Sequence, residues 1–156
     1  MIKIILLITV VGLVQCFPKI LGTSRVPRDK RMIYPGTKWC GPGNSSKDYS
    51  DLGYRWEVDQ CCREHDHCPD FIMPHERKHG LRNPSSYYRM SCNCDMKFYK
   101  CLKDTDTFSG YVIGISYFTV HSAWCFKKDY EKSDGRTNRD DSRPQVNQWI
   151  EMPSYW

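Results

Sequence analysis

Eight consecutive residues, Cys61 to Cys68 ("CCREHDHC"), carry three cysteines, two histidines, two acids and an arginine. Three chemistries suit such a cluster. Cys61, Cys62, His65 and Cys68 make a ligand set for tetrahedral zinc. The cysteines could instead staple a small fold as disulfides. In the third reading the staples hold His65 at a fixed angle to a partner acid, so that the imidazole can remove a proton.

Compartment and cysteine count separate these readings. Lys3 precedes an apolar run from Ile4 to Val14, the form of a secretory signal peptide and far short of the roughly 20 apolar residues of a membrane span. Residues 1–16 are therefore expected to be a signal peptide. Residues 17–31, proline-bearing and ending in Lys30–Arg31, are expected to be a pro-segment. The mature domain would be 32–156. Discarding Cys16 leaves eight cysteines, at 40, 61, 62, 68, 92, 94, 101 and 125. An even set in an oxidising compartment reads as four disulfides rather than zinc thiolates. Residues 1–31 also hold six basic residues and one acid, so the 23 basic and 18 acidic residues of the whole chain become 17 of each. That balance excludes a nucleic-acid reading built on the net charge of +5 and predicts weak attraction to anionic surfaces. Asn44-Ser45-Ser46 is a glycosylation sequon in a loop.

The elements that must position the cluster are a few helices. Residues 32–52 are rich in Gly, Pro, Ser and Asn and read as loop. A first helix is expected from near Val58, with Asp59 as a possible cap, and ends before Pro69. Residues 71–86 read as loop. A second helix fits Ser91 to Asp104 and a third fits Thr105 to His121, with Phe108, Tyr111, Ile115 and Phe118 as its apolar stripe. Residues 131–143 read as a polar loop, and 146–156 as an aromatic-rich return segment. The fold class is mainly α with a few short strands, a small disulfide-stapled domain.

Spacing then places the chemistry. Cys61 and Cys68 are seven apart, as are Cys94 and Cys101, two helical turns in each case. Two antiparallel helices would join Cys61 to Cys101 and Cys68 to Cys94 as rungs of a ladder. Rotating at about 100° per residue puts His65 roughly 50° and Asp95 roughly 110° from this seam, in the same sense. Both side chains then lie on one flank of the ladder and can meet. A third helix returning along the second favours Cys92–Cys125, which leaves Cys40–Cys62. Cys62 and Asp66 share a helix face, so that last bridge brings Trp39 to Gly43 ("WCGPG") against the Asp66 carboxylate. Loop carbonyls plus a carboxylate make an all-oxygen site for Ca²⁺, with affinity expected on the order of 10⁻⁴ to 10⁻³ M.

"YPGTKWCGPGN", "CCREHDHC", "KHG" and "SCNCDMKFYKCL" resemble a secretory phospholipase A2 of the bee-venom type, called group III, and the resemblance covers the whole mature chain through "QVNQW". It implies a secreted, calcium-dependent enzyme that hydrolyses the sn-2 ester of glycerophospholipids at a lipid interface. It implies His65 as the base that activates water, Asp95 as the residue orienting it, and Tyr117 hydrogen-bonded to Asp95. Calcium would be held by the carbonyls of Trp39, Gly41 and Gly43 and by Asp66. The family's disulfides agree with the four deduced from spacing. The partner is a phospholipid membrane surface, touched transiently; a monomer is expected, and a cell-surface receptor is a further candidate partner. Ile33, Tyr34 and Trp39 are candidates for an apolar mouth. His67, His75, His79 and His121 join no constellation. The alternative function is a non-catalytic toxin or receptor ligand on the same scaffold. Relatives of this type often carry one more disulfide beyond Cys125, and its absence here leaves 127–145 less constrained.

Overall fold

A computed structural model describes residues 32–121, 123–130 and 144–156. The expected leader and pro-segment, 1–31, and the polar loop, 131–143, lie outside these residues. Helix α1 is Trp56–Asp66. Short antiparallel pairs follow, β1 (Phe71–Ile72) with β4 (Arg89–Met90) and β2 (Arg77–Lys78) with β3 (Leu81–Arg82). Helix α2 is Cys92–Asp104, and α3 is Phe108–Gly114, continued by a π-helical segment, Ile115–Val120. Strands β5 (Trp124–Tyr130) and β6 (Gln145–Glu151) form an antiparallel ribbon in which Cys125 faces Ile150. No helix among the described residues is long and apolar enough to cross a membrane.

Four disulfides hold these elements: Cys40–Cys62, Cys61–Cys101, Cys68–Cys94 and Cys92–Cys125. They are the pairs expected from spacing. As the residue number rises along α1 it falls along α2, so the two rungs cross-link antiparallel segments. With every thiol of residues 40–125 in a disulfide, no thiolate remains for zinc.

Around the staples Val58, Phe98, Leu102, Ile113, Phe118, Met152 and Tyr155 form the core. The return segment is more than a tail: Tyr155 is fully buried and stacks on Phe118 with ring centroids 6.0 Å apart.

Three local expectations are corrected. Asp59 does not cap α1; it lies in the first turn and is fully buried. The loop expected over 71–86 contains paired strands, because Asn83 is buried and its amide donates to the carbonyls of Ile72, Met73 and Tyr87, closing the segment on itself. The third helix does not start at Thr105, since Asp106 turns the chain at φ 47° and the Thr107 hydroxyl caps α3 by accepting from Gly110 N–H. Its apolar stripe holds only in the second half, where Phe118 is in the core and Ile115 packs against it. Phe108 and Tyr111 are exposed, and Ser109, Gly110, Ile113 and Gly114 face inward.

Small residues win that face because α3 lies too close to its neighbours for side chains. A Cβ on Gly110 would come within 2.7 Å of the Leu102 carbonyl oxygen, and one on Gly114 within 2.4 Å of the Tyr155 ring. Gly110→Ala is therefore expected to destabilise the fold by about 1–3 kcal/mol, the usual cost of overpacking. Its good helix propensity offsets less than that, because the obstruction is main chain. A denaturant titration that found the variant as stable as the parent would disprove the close approach.

Candidate active site

The two helices and the π-helical segment meet at His65. From α1, His65 directs Nε2 at Asp95 Oδ1 of α2, 2.7 Å away. Asp95 is fully buried and His65 is 8% exposed, so solvent screens the pair little. Tyr117 donates its hydroxyl to the same Oδ1 at 3.1 Å and lies 3.4 Å from His65 Nε2. Burial and the adjacent Asp95 charge hold the Tyr117 hydroxyl well above its ordinary range, so it stays a donor. The imidazole is also clamped by rings: it stacks on Phe98 at 4.3 Å and 19°, and meets Tyr117 edge-on at 5.1 Å.

This arrangement can abstract a proton. With Nε2 engaged by a carboxylate, Nδ1 is left to accept a proton, and the carboxylate stabilises the imidazolium that results. Asp95 Oδ2 is buried with no hydrogen-bond partner among the described residues. Tyr117→Phe removes a donor but leaves the 2.7 Å pair intact. It is expected to lower turnover less than tenfold and stability by about 1.5–3 kcal/mol, the net worth of a bond to a charged group. Steady-state rates and a urea titration on the same preparation check both parts.

Asp66, the residue after His65, is the last residue of α1; the residue is exposed at the helix end while its carboxyl is partly desolvated, and it forms no hydrogen bond or ion pair with the described residues. Desolvation pushes its carboxyl up to about 6, with Asp59 adding to the rise and His65 and His67 opposing it. It is a carboxylate short of positive charge. The 39–43 loop is tied to the same helix by Cys40–Cys62, and the Trp39 ring lies 5.3 Å from the ring of His67, the residue after Asp66.

The loop suits a hard cation. The carbonyls of Gly41 and Gly43 accept no hydrogen bond among the described residues, and that of Trp39 accepts only Gly41 N–H at 3.1 Å, leaving its second lone pair. Gly43 has φ 84°, a conformation that side-chain-bearing residues rarely adopt. A Cβ on Gly41 would fall 2.4 Å from the Met32 carbonyl oxygen. No group of three or more His, Cys, Asp or Glu side chains among the described residues could hold a metal. A cation here must therefore take most ligands from backbone oxygen, which favours calcium over transition metals. The donor set fits calcium.

Two parts of the site escaped the sequence reading. Phe98, the ring under His65, sits one turn beyond Asp95 on α2, and that spacing was a usable signal. Asp59 is the other. Its carboxylate accepts Lys38 N–H at 2.9 Å, Trp39 N–H at 2.8 Å and Gly53 N–H at 2.7 Å. An acid set between Val58 and Cys61 in a buried stripe was its only trace. Trp39 is no part of an exposed mouth; it is 5% exposed, with Nε1 bonded to the Asp51 carbonyl. Asn44 is exposed beside the loop, and Ser46 Oγ donates to its Oδ1 at 3.0 Å.

Comparison with known proteins matches the span that holds this geometry. A family described as phospholipase A2 matches residues 33–129, which contain His65, Asp66, Asp95, Tyr117 and all eight disulfide cysteines. The phospholipase A2 of Apis mellifera is 44% identical over 137 residues, covering 81% of this chain and 82% of that protein. That of Bombus terrestris is 49% identical over 100 residues, 64% of this chain and 74% of its own length. An acidic phospholipase A2 of Heloderma suspectum is 43% identical over 103 residues, 66% and 71% of the two chains.

Proposed function

Because the chain belongs to the phospholipase A2 family, in its bee-venom branch, we propose that it hydrolyses the sn-2 ester of glycerophospholipids at a lipid interface, with His65 activating water. The observation that carries this reading is the 2.7 Å contact of His65 Nε2 with the buried Asp95 carboxylate. Nδ1 takes a proton from water as the oxygen attacks the ester carbonyl, and Asp95 stabilises the imidazolium. The proton then passes to the departing sn-2 oxygen, giving a fatty acid and a lysophospholipid. Water is the nucleophile, so no acyl-enzyme forms. Phe98 and Tyr117 keep the ring from turning between the two transfers.

Calcium held by Asp66 and the carbonyls of Trp39, Gly41 and Gly43 would supply positive charge to the substrate phosphate and to the oxyanion. The loop's part is to keep those carbonyls pointed at one place. The raised Asp66 carboxyl sets a pH limit. Above about 6 it is ionised and can bind a cation; as pH falls through 6 it takes up a proton and loses that charge. The calcium dissociation constant is expected to rise about tenfold per unit below the crossing, up to the point where the ion itself holds the carboxylate ionised. Calorimetric titration at pH 5, 6 and 8 reads this without involving the base.

Secretion after removal of 1–31, glycosylation at Asn44 and a monomeric state complete the proposal; the exposure of Asn44 supports the second. The contacts among His65, Asp95 and Tyr117 support the catalytic reading over the alternative of a non-catalytic toxin or receptor ligand. The test is product analysis on vesicles of phosphatidylcholine carrying different acyl chains at its two positions. Release of the sn-2 acid alone is expected. Release of the sn-1 acid, or of neither, would sink the proposal.

A further inference from the structure

We infer that Asp59 is the positioning residue of the calcium loop: its buried carboxylate holds the backbone at Lys38 and Trp39 in the metal-binding shape before an ion arrives. The inference rests on the calcium reading above. Asp59 is fully buried and forms no ion pair among the described residues. Its charge is met by backbone N–H groups alone, from Lys38, Trp39 and Gly53. A buried carboxylate without those donors would be very costly, so the donors are held as firmly as they hold it.

The donors lie where the loop needs them. Trp39 supplies a candidate ligand carbonyl, and its own amide is pinned to Asp59 at 2.8 Å. On the other side of that carbonyl, Cys40 is bridged to Cys62, and its own carbonyl accepts Tyr34 N–H at 2.7 Å. With both flanking peptides planar and fixed, the Trp39 carbonyl has little freedom left. Gly53 closes the far end of the segment. It packs so tightly that a Cβ there would lie 2.3 Å from the Gly36 carbonyl oxygen.

All three anchors belong to one helix face. Asp59, Cys62 and Asp66 follow each other at spacings of three and four along α1, so tether, staple and ligand carboxylate share a stripe. The helix fixes the separation of the loop from Asp66, and binding then costs less ordering entropy. Residues that orient metal ligands without touching the metal commonly contribute 10–100-fold in affinity.

Two measurements on the full mature protein decide the matter. Asp59→Asn keeps the shape of the side chain but loses its charge and one acceptor. Calorimetric titration with Ca²⁺ is expected to show at least tenfold weaker binding than the parent. Asp59→Glu, with both acceptors displaced, should recover only part of it. A dissociation constant for Asp59→Asn within twofold of the parent would overturn the inference, whatever its melting temperature. If the parent itself bound no calcium, the underlying calcium reading would fail instead. The second measurement needs no variant. In chelator, amide exchange at Lys38 and Trp39 should be much slower than at 44–50, because the bonds to Asp59 exist without the ion. Exchange as fast as in 44–50, slowed only by calcium, would show a loop shaped by the ion and not by Asp59.

Discussion

Replacing His65 by glutamine is expected to lower turnover on phosphatidylcholine vesicles by about three orders of magnitude, within the 10²–10⁴-fold range of general-base contributions. Glutamine is close to histidine in reach, and its amide can still donate to Asp95 Oδ1, so the buried carboxylate keeps a partner. What it lacks is a nitrogen that accepts a proton near neutral pH. The stack on Phe98 is weakened, yet four disulfides and the core around Leu102 and Phe118 are untouched. Melting temperature and calcium affinity should therefore stay near those of the parent while turnover collapses. A variant that kept a tenth of the activity would show that another group takes the proton.

Removing calcium is expected to have a comparable effect by a different route. Excess chelator should cut hydrolysis by roughly 10²–10³-fold or more, the loss seen when one electrostatic stabiliser of an oxyanion is deleted. Asp66→Asn should reproduce it at ordinary calcium concentrations and leave the His65–Asp95 pair unaltered. The variant carries a second, opposite signature. The Asp66 carboxyl is pushed up to about 6 in the metal-free fold, above its ordinary 3.8, so the folded chain holds that proton more tightly than the unfolded chain does. The fold therefore loses stability as pH rises from about 4 through 6, and the loss persists above 6. Asparagine has no proton to lose. In chelator at pH 8, Asp66→Asn should melt no lower than the parent, while in calcium only the parent should gain. Hydrolysis unchanged by chelator, or a variant that still gained thermal stability from calcium, would remove Asp66 from the metal site.

Phe98 under the imidazole and Asp59 under the loop have the same physical role at two places. Phe98 stacks on His65 from the neighbouring helix α2, one turn beyond Asp95, and Asp59 holds the backbone at Lys38 and Trp39 from α1, one turn before Cys62. The stapled pair α1 and α2 is thus a frame that carries His65, Asp95 and, through Cys40–Cys62, the 39–43 loop. Such a frame is hard to obtain from a loop-rich chain of this size without cross-links.

Much of this was determined by the sequence alone, because the relevant signals are periodic and local. Cysteines seven apart on each of two helices admit one simple antiparallel pairing. The same 3.6-residue period puts His65 and Asp95 on one flank of it. The glycines of "WCGPG" mark a loop whose backbone must approach closely or turn left-handed, as Gly41 and Gly43 do. Tertiary structure alone decided what depends on distance in space. Phe108 and Tyr111 have the spacing of a core stripe yet face solvent, because α3 approaches Leu102 and Tyr155 so closely that only Ser109, Gly110 and Gly114 fit between. Trp39 looked like a rim residue and is buried, and Asp59 looked like a cap and became the anchor of a loop some twenty residues earlier. Periodicity reports which face of a helix a residue occupies. What that face meets, and how near, is set by the packing of segments distant in the chain.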